Sequence, residues 1–154
     1  MVAGLIVLLG APTGLAAQEA LCSAADEYLM GAVGMTTIVE ADTIDDWRTD
    51  QMVPGCRITA AGLTTKGLRA EARSFYEQLR ATDWTRTPDP QDAPNEASLR
   101  FRNGGSDCLF NFYSDGLLGT DAELEVDDAV VPGRGQQRYN FLVLCMPAVD
   151  LPPG

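Results

Sequence analysis

Apolar positions recur along this chain at two spacings, and the change of spacing separates helix from strand. From Lys66 to Asp83, Leu68, Ala72, Phe75, Tyr76 and Leu79 return at intervals of three and four, the period of one helix face. Arg69, Arg73, Glu77 and Arg80 fall away from that stripe, and Arg73 with Glu77 has the i,i+4 spacing of a helical ion pair. Thr64 or Thr65 caps the start, and Pro88 with Pro90 forbids continuation past Trp84. A shorter helix is predicted over 20–30, where Leu21, Ala25, Tyr28 and Leu29 share a stripe that Gly31 and Gly34 end.

A spacing of two marks the strands. Over 53–60, Cys56, Ile58 and Ala60 alternate with Arg57 and Thr59, and Gly62 ends the run. Residues 36–39 have strand propensity, whereas Asp42, Asp45, Asp46 and Asp50 around Trp47 read as an acidic connection. Asn103-Gly104-Gly105 is a tight-turn signal between 97–102 and 106–114. A turn on Asn103-Gly104 would oppose Leu99 to Cys108 and Arg100 to Asp107. A turn on Gly104-Gly105 opposes Phe101 to Cys108, Leu99 to Phe110 and Arg102 to Asp107, and is preferred because it pairs apolar with apolar. Asp121, Glu123 and Glu125 alternate with Ala122, Leu124 and Val126, predicting a short edge strand. In 137–146, Tyr139, Phe141, Val143 and Cys145 take one face and Leu142 and Leu144 the other, so this strand is expected at the centre of the sheet.

These elements predict an α+β fold: an antiparallel sheet of about four strands, with the 66–83 helix and an N-terminal helix packed on one face. Four cysteines stand at Cys22, Cys56, Cys108 and Cys145. None forms a C-x-x-C pair, so zinc-ribbon and thioredoxin-type readings fail, and two disulfides with three formal pairings remain. If strands 106–114 and 137–146 pair antiparallel, Cys108 meets Cys145, leaving Cys22 for Cys56.

Disulfides imply an oxidising compartment, and the first residues point the same way. Met1 to Ala17 carry no charge, Leu5 to Leu9 form an apolar run, and Gly14, Ala16 and Ala17 follow as small residues. This is the pattern of a signal peptide without its basic n-region, cleaved after Ala16 or Ala17. It leaves one domain over 18–154 with no membrane span, placed in the periplasm or outside the cell. Leu21 directly before Cys22 and Glu19 three residues before it argue against a lipid anchor. The net charge of −11 disfavours nucleic acid and anionic membrane as partners.

Candidate chemistry is sparse. The chain has no histidine, which excludes Ser-His-Asp and Cys-His catalysis and histidine metal sites. It has no G-x-S-x-G, Walker or G-x-G-x-x-G sequence. On a strand, Asp121, Glu123, Glu125 and Asp127 would project from one face as oxygen ligands for calcium, though without an EF-hand's order; a solvated acidic edge is the simpler reading. Trp47 among its aspartates is either a binding hot spot or packed on the domain itself. Lys66, Arg69, Arg73 and Arg80 form a basic island on one helix. Phe101, Phe110, Phe112, Tyr139 and Phe141 read as core, which turns Tyr113 and Leu109 to the opposite side of the sheet, where a ligand surface would lie. The function expected is a non-enzymatic module that binds another envelope or extracellular protein, an inhibitor included. Its expected contact loops are 84–96 and 115–136. The alternatives are a calcium-stabilised structural protein and a glycan hydrolase working with two carboxylates.

Overall fold

A strand that is apolar on both faces must be covered on both, and the segment after Gln136 sets the architecture for that reason. The computed structural model describes residues 14–87 and 97–150. Its strands are β1 (Thr36–Asp46), β2 (Gln51–Thr64), β3 (Thr85–Arg86), β4 (Ser98–Asn103), β5 (Ser106–Tyr113) and β6 (Gln137–Pro147). They form one antiparallel sheet in the order β1-β2-β6-β5-β4-β3. β6 lies inside, hydrogen-bonded to β2 and β5, as its double-faced pattern predicts. The β4–β5 hairpin turns on Gly104-Gly105 and opposes Phe101 to Cys108 and Leu99 to Phe110.

The sheet has six strands, not about four. β1 runs through Asp42, Asp45 and Asp46, the residues read as a connection, because it pairs with β2 along its whole length from Thr36↔Ala61 to Asp46↔Gln51. Cross-strand pairing here overrides the low strand propensity of aspartate. Gly62 lies within β2 and does not end it. Its bare α-carbon leaves room for Tyr139 on the neighbouring strand, since a Cβ there would sit 2.9 Å from the phenol ring.

One face of the sheet carries the core. A helical run passes through α1 (Gly14–Glu19), a 3₁₀ turn (Ala20–Cys22), α2 (Ser23–Glu27) and a π turn (Tyr28–Val33). It packs on this face together with α3 (Leu68–Arg80). Phe75 of α3 meets Phe110 and Phe141, and Tyr76 stacks on Phe101 and lies edge-on to Phe141. α3 starts at Leu68, so neither Thr64 nor Thr65 is its cap; Gly67, at φ 86°, holds that position. Thr64 instead donates to Glu71 at 2.7 Å and accepts from the Lys66 amide at 3.0 Å.

Disulfides join Cys22 to Cys56 and Cys108 to Cys145, the pairing expected from strand proximity. The first fastens the N-terminal run to β2, the second β5 to β6. The helices do not all lie on one face. α4 (Asp121–Ala129) occupies the segment read as an edge strand, and it packs on the opposite side near β1 and β2. No described helix is long and apolar enough to cross a membrane. Of the 1–17 leader, residues 1–13 lie outside the described residues, and α1 buries no side chain.

The close approach of β2 to β6 yields a test. A Cβ at Gly55 would be driven into the Cys145 carbonyl oxygen and to 2.8 Å from Ile44, whereas one at Gly31 would meet nothing. In urea unfolding, Gly55→Ala is expected to cost about 1–3 kcal/mol. Gly31→Ala should be neutral or stabilise by up to about 1 kcal/mol.

Candidate functional site

Alternation along the strands sends a second set of side chains to the outer face of the sheet. Leu109, Asn111 and Tyr113 of β5, Leu142 and Leu144 of β6 and Ser98 of β4 lie there, as the sequence places Leu109 and Tyr113. With Trp47, Leu117 and Leu118 they line an open cavity of about 380 Å³. A second hollow of about 190 Å³ adjoins it, bordered by Asp42, Arg57, Thr59 and Thr120, and Leu118, Leu142 and Leu144 belong to both. Leu118 thus lies across the outer face between the two. At the β1 side, the Arg57 guanidinium pairs with Glu40 at 2.9 Å and with Asp42 at 3.7 Å.

A buried charge network closes the β4–β5 end. Arg48, from the β1–β2 turn, donates to both carboxylate oxygens of Asp46 at 2.8 and 3.0 Å and to Asp107 at 2.7 Å. Arg102 grips Asp107 from the other side at 2.6 and 2.9 Å, and the Val149 amide donates to the same carboxylate at 3.2 Å. Burial pushes the carboxyls of Asp46 and Asp107 up. The hydrogen bonds from Arg48, and for Asp107 also from Arg102 and Val149, outweigh it and hold both below the usual carboxylate range. The Arg100 guanidinium lies 5.6 Å from the centre of the Trp47 ring, which fixes the half-buried indole against the outer face. Trp47 therefore packs on its own domain and forms a wall of the cavity, while Asp42, Asp45, Asp46 and Asp50 spread along β1 and its turn.

The segment from Asp115 to Val131 covers the β6–β2 side, and Glu123 holds it in place. This carboxylate is 1% exposed. It accepts from the amides of Leu118 at 2.9 Å and Gly119 at 2.7 Å, and the buried Tyr113 hydroxyl lies beside it. Burial pushes the Glu123 carboxyl up, but the Leu118 and Gly119 amides and Tyr113 prevail and keep it below its ordinary value. Thr120 closes the arrangement by accepting from the Glu123 amide at 3.2 Å. Thr120-x-x-Glu123 is the capping-box spacing, a signal in the sequence that outranks the short acidic–apolar alternation read there as a strand.

As a helix, this segment distributes its carboxylates differently. Alternate residues lie about 200° apart around the axis, so Asp121, Glu123, Glu125 and Asp127 do not share a face. Glu123 turns inward to the loop amides. Asp127 pairs with Arg138 at 3.1 Å and accepts from Asn140 at 2.7 Å. Asp121 and Glu125 point to solvent. Among the described residues, the one group of three donors close enough to share an ion is Cys22, Cys56 and Cys145, which are engaged in disulfides.

The outward side of the same segment is apolar within acid. Leu117 is 72%, Leu124 58% and Val131 72% exposed. Asp115, Asp121, Glu125 and Asp128 are exposed around them, and no lysine or arginine occurs between Tyr113 and Arg134. Of the expected basic island, Arg69, Arg73 and Arg80 are on α3, whereas Lys66 precedes the helix and lies 3.9 Å from Glu71. Of the two expected loops, 84–96 lies mostly outside the described residues. The chain matches no protein-family model, and comparison with curated proteins and with solved structures returns no match.

The depressed carboxyls set the sign of the acid response. A carboxylate whose folded pKa is lowered adds stability above its unfolded pKa of about 4, and that stability is lost as pH falls through the folded value. Unfolding free energy is expected to be level above about pH 5 and to fall below it. Glu123→Gln should be less stable than wild type at pH 7, and the gap should close on acidification. A gap that stays constant to pH 2 would show that the Glu123 charge contributes nothing.

Proposed function

We propose that this protein is an exported module that binds another protein through the 115–131 segment. One observation carries the reading. Of six large apolar side chains exposed among the described residues, Leu117, Leu124 and Val131 fall within this one stretch. Scattered apolar residues on a surface need no explanation. Three on one acidic segment, whose 118–123 part is held by a buried carboxylate and a helix cap, offer exposed apolar groups of the kind that partners use.

The chemistry of the partner follows from the rim. Acidic groups on a segment that carries no lysine or arginine of its own favour a surface that offers lysine or arginine beside apolar side chains. A second copy of the chain fits poorly, because each copy carries −11. Leu117 belongs both to the exposed row and to the wall of the Trp47 cavity, so an apolar partner side chain laid across the segment enters that cavity as an anchor.

Export rests on three supports. Both disulfides are fully buried parts of the fold and belong to an oxidising compartment. Met1–Ala17 has the signal-peptide pattern. Among the described residues, 14–17 bury no side chain, and the first buried one is Cys22. The periplasm or the cell exterior is the site of action.

The test is capture from envelope and culture extracts with residues 18–154, wild type against Leu117→Ser/Leu124→Ser/Val131→Ser. These exposed substitutions should leave melting nearly unchanged. A stoichiometric partner held by wild type should bind the variant at least about tenfold more weakly and dissociate more readily as salt is added. A partner held equally by both would place the contact surface elsewhere.

A further inference from the structure

The sheet register lines up three cysteines on one rung. Cys145 of β6 is directly opposite Cys56 of β2 on one side and Cys108 of β5 on the other. Cys22 descends onto this rung from the N-terminal helical run. The sulfurs of Cys22, Cys56 and Cys145 all lie within 4.8 Å of one another, although Cys145 is bonded to Cys108 and Cys22 to Cys56. Two disulfides therefore sit side by side, with the central sulfur of one next to both sulfurs of the other.

We propose that these four cysteines form a thiol–disulfide exchange centre whose second covalent state is a Cys56–Cys145 bond. Exchange proceeds when a thiolate attacks one sulfur of a disulfide and expels the other as a thiolate. Cys108 is buried in the closed fold, so the first step requires local opening at the β5–β6 rung; a small external thiol then attacks Cys108, joins it in a mixed disulfide and releases the Cys145 thiolate. Cys145 then attacks the adjacent Cys56 sulfur; the Cys56–Cys145 bond forms and Cys22 leaves as a thiolate. Each step exchanges one S–S bond for another, and no further oxidant or reductant is needed. Directly opposed residues of an antiparallel pair have α-carbons about 4.5–5.5 Å apart, within the span a disulfide bridges. The sheet can therefore hold the new bond without changing register.

The consequence is mechanical. Cys22–Cys56 is the covalent tie between the N-terminal run and the sheet. Its exchange leaves that run, with buried Cys22, Ala25 and Leu29, held by packing and by hydrogen bonds such as Thr37 to Asp26, while β2, β6 and their hydrogen bonds are kept.

Two variants of the full chain test the centre from opposite ends. Cys108→Ser leaves a Cys145 thiol beside Cys22–Cys56. Cys22→Ser leaves a Cys56 thiol beside Cys108–Cys145. Each is folded oxidised, held under native conditions near the ordinary thiol pKa of about 8.5, quenched with acid, alkylated and mapped by peptide mass spectrometry. Both are expected to converge on the same Cys56–Cys145 peptide pair over minutes to hours. The first should free Cys22 and the second Cys108, with circular dichroism unchanged. If one variant fails to fold, the other decides. Persistence of the original bond with the lone thiol alkylated throughout would overturn the proposal. So would a Cys22–Cys145 bond in Cys108→Ser in place of Cys56–Cys145.

Discussion

β6 is hydrogen-bonded along both edges and covered on both faces, and the other elements take their places from it. Its inward residues Tyr139, Phe141, Val143 and Cys145 are at most 2% exposed and receive Phe75, Tyr76 and the N-terminal run. Of its outward residues, Asn140 bonds to Asp127 of α4, and Leu142 and Leu144 are half covered and share their two hollows with Leu118. A strand so enclosed cannot shift register by one residue without exchanging its two faces. The cross-strand cysteine bond to β5 and the close passage of Gly55 against Cys145 hold it further.

The two faces are closed by different physics. The inner face is an aromatic and disulfide core. The outer face is closed by ionic groups, with Asp107 between Arg48 and Arg102 at one end and Glu123 on the Leu118 and Gly119 amides at the other. Buried charges of this kind add little net stability against well-packed apolar replacements, but removing one partner is costly. What they contribute here is position. They hold the β1–β2 turn and the 115–120 segment at fixed places, so that Trp47, Leu117 and Leu118 surround an open cavity and Leu124 and Val131 remain outside.

Much of the fold is legible in the sequence where a local pattern and a tertiary demand agree. Leu68 to Leu79 repeats at helical spacing over about three turns, Asn103-Gly104-Gly105 allows one apolar register, and the two strands that pair bring Cys108 to Cys145. The acidic segments are less legible. Asp42, Asp45 and Asp46 have poor strand propensity, and only a full-length partner in β2 keeps them extended. At 121–126, six residues of alternation suggest a strand, but the Thr120-x-x-Glu123 capping signal and the four-residue spacing of buried Ala122 and Val126 decide for the helix. The Arg48–Asp107 pair spans 59 positions and leaves no local trace. The proposed contact segment, 115–131, is half legible: it stands out as a loop of unusual charge, while the exposure of its leucines depends on which face of α4 meets the sheet.

We infer that Glu123 holds the 115–131 segment in place separately from the β6 core. Amide hydrogen exchange at neutral pH, in wild type and Glu123→Gln, tests it most directly. The Leu118 and Gly119 amides are expected to be protected in wild type and to exchange markedly faster in the variant, with β6 amides unchanged. Unprotected Leu118 and Gly119 amides in wild type would contradict it, as would equal acceleration of β6 and the 118–119 amides in the variant.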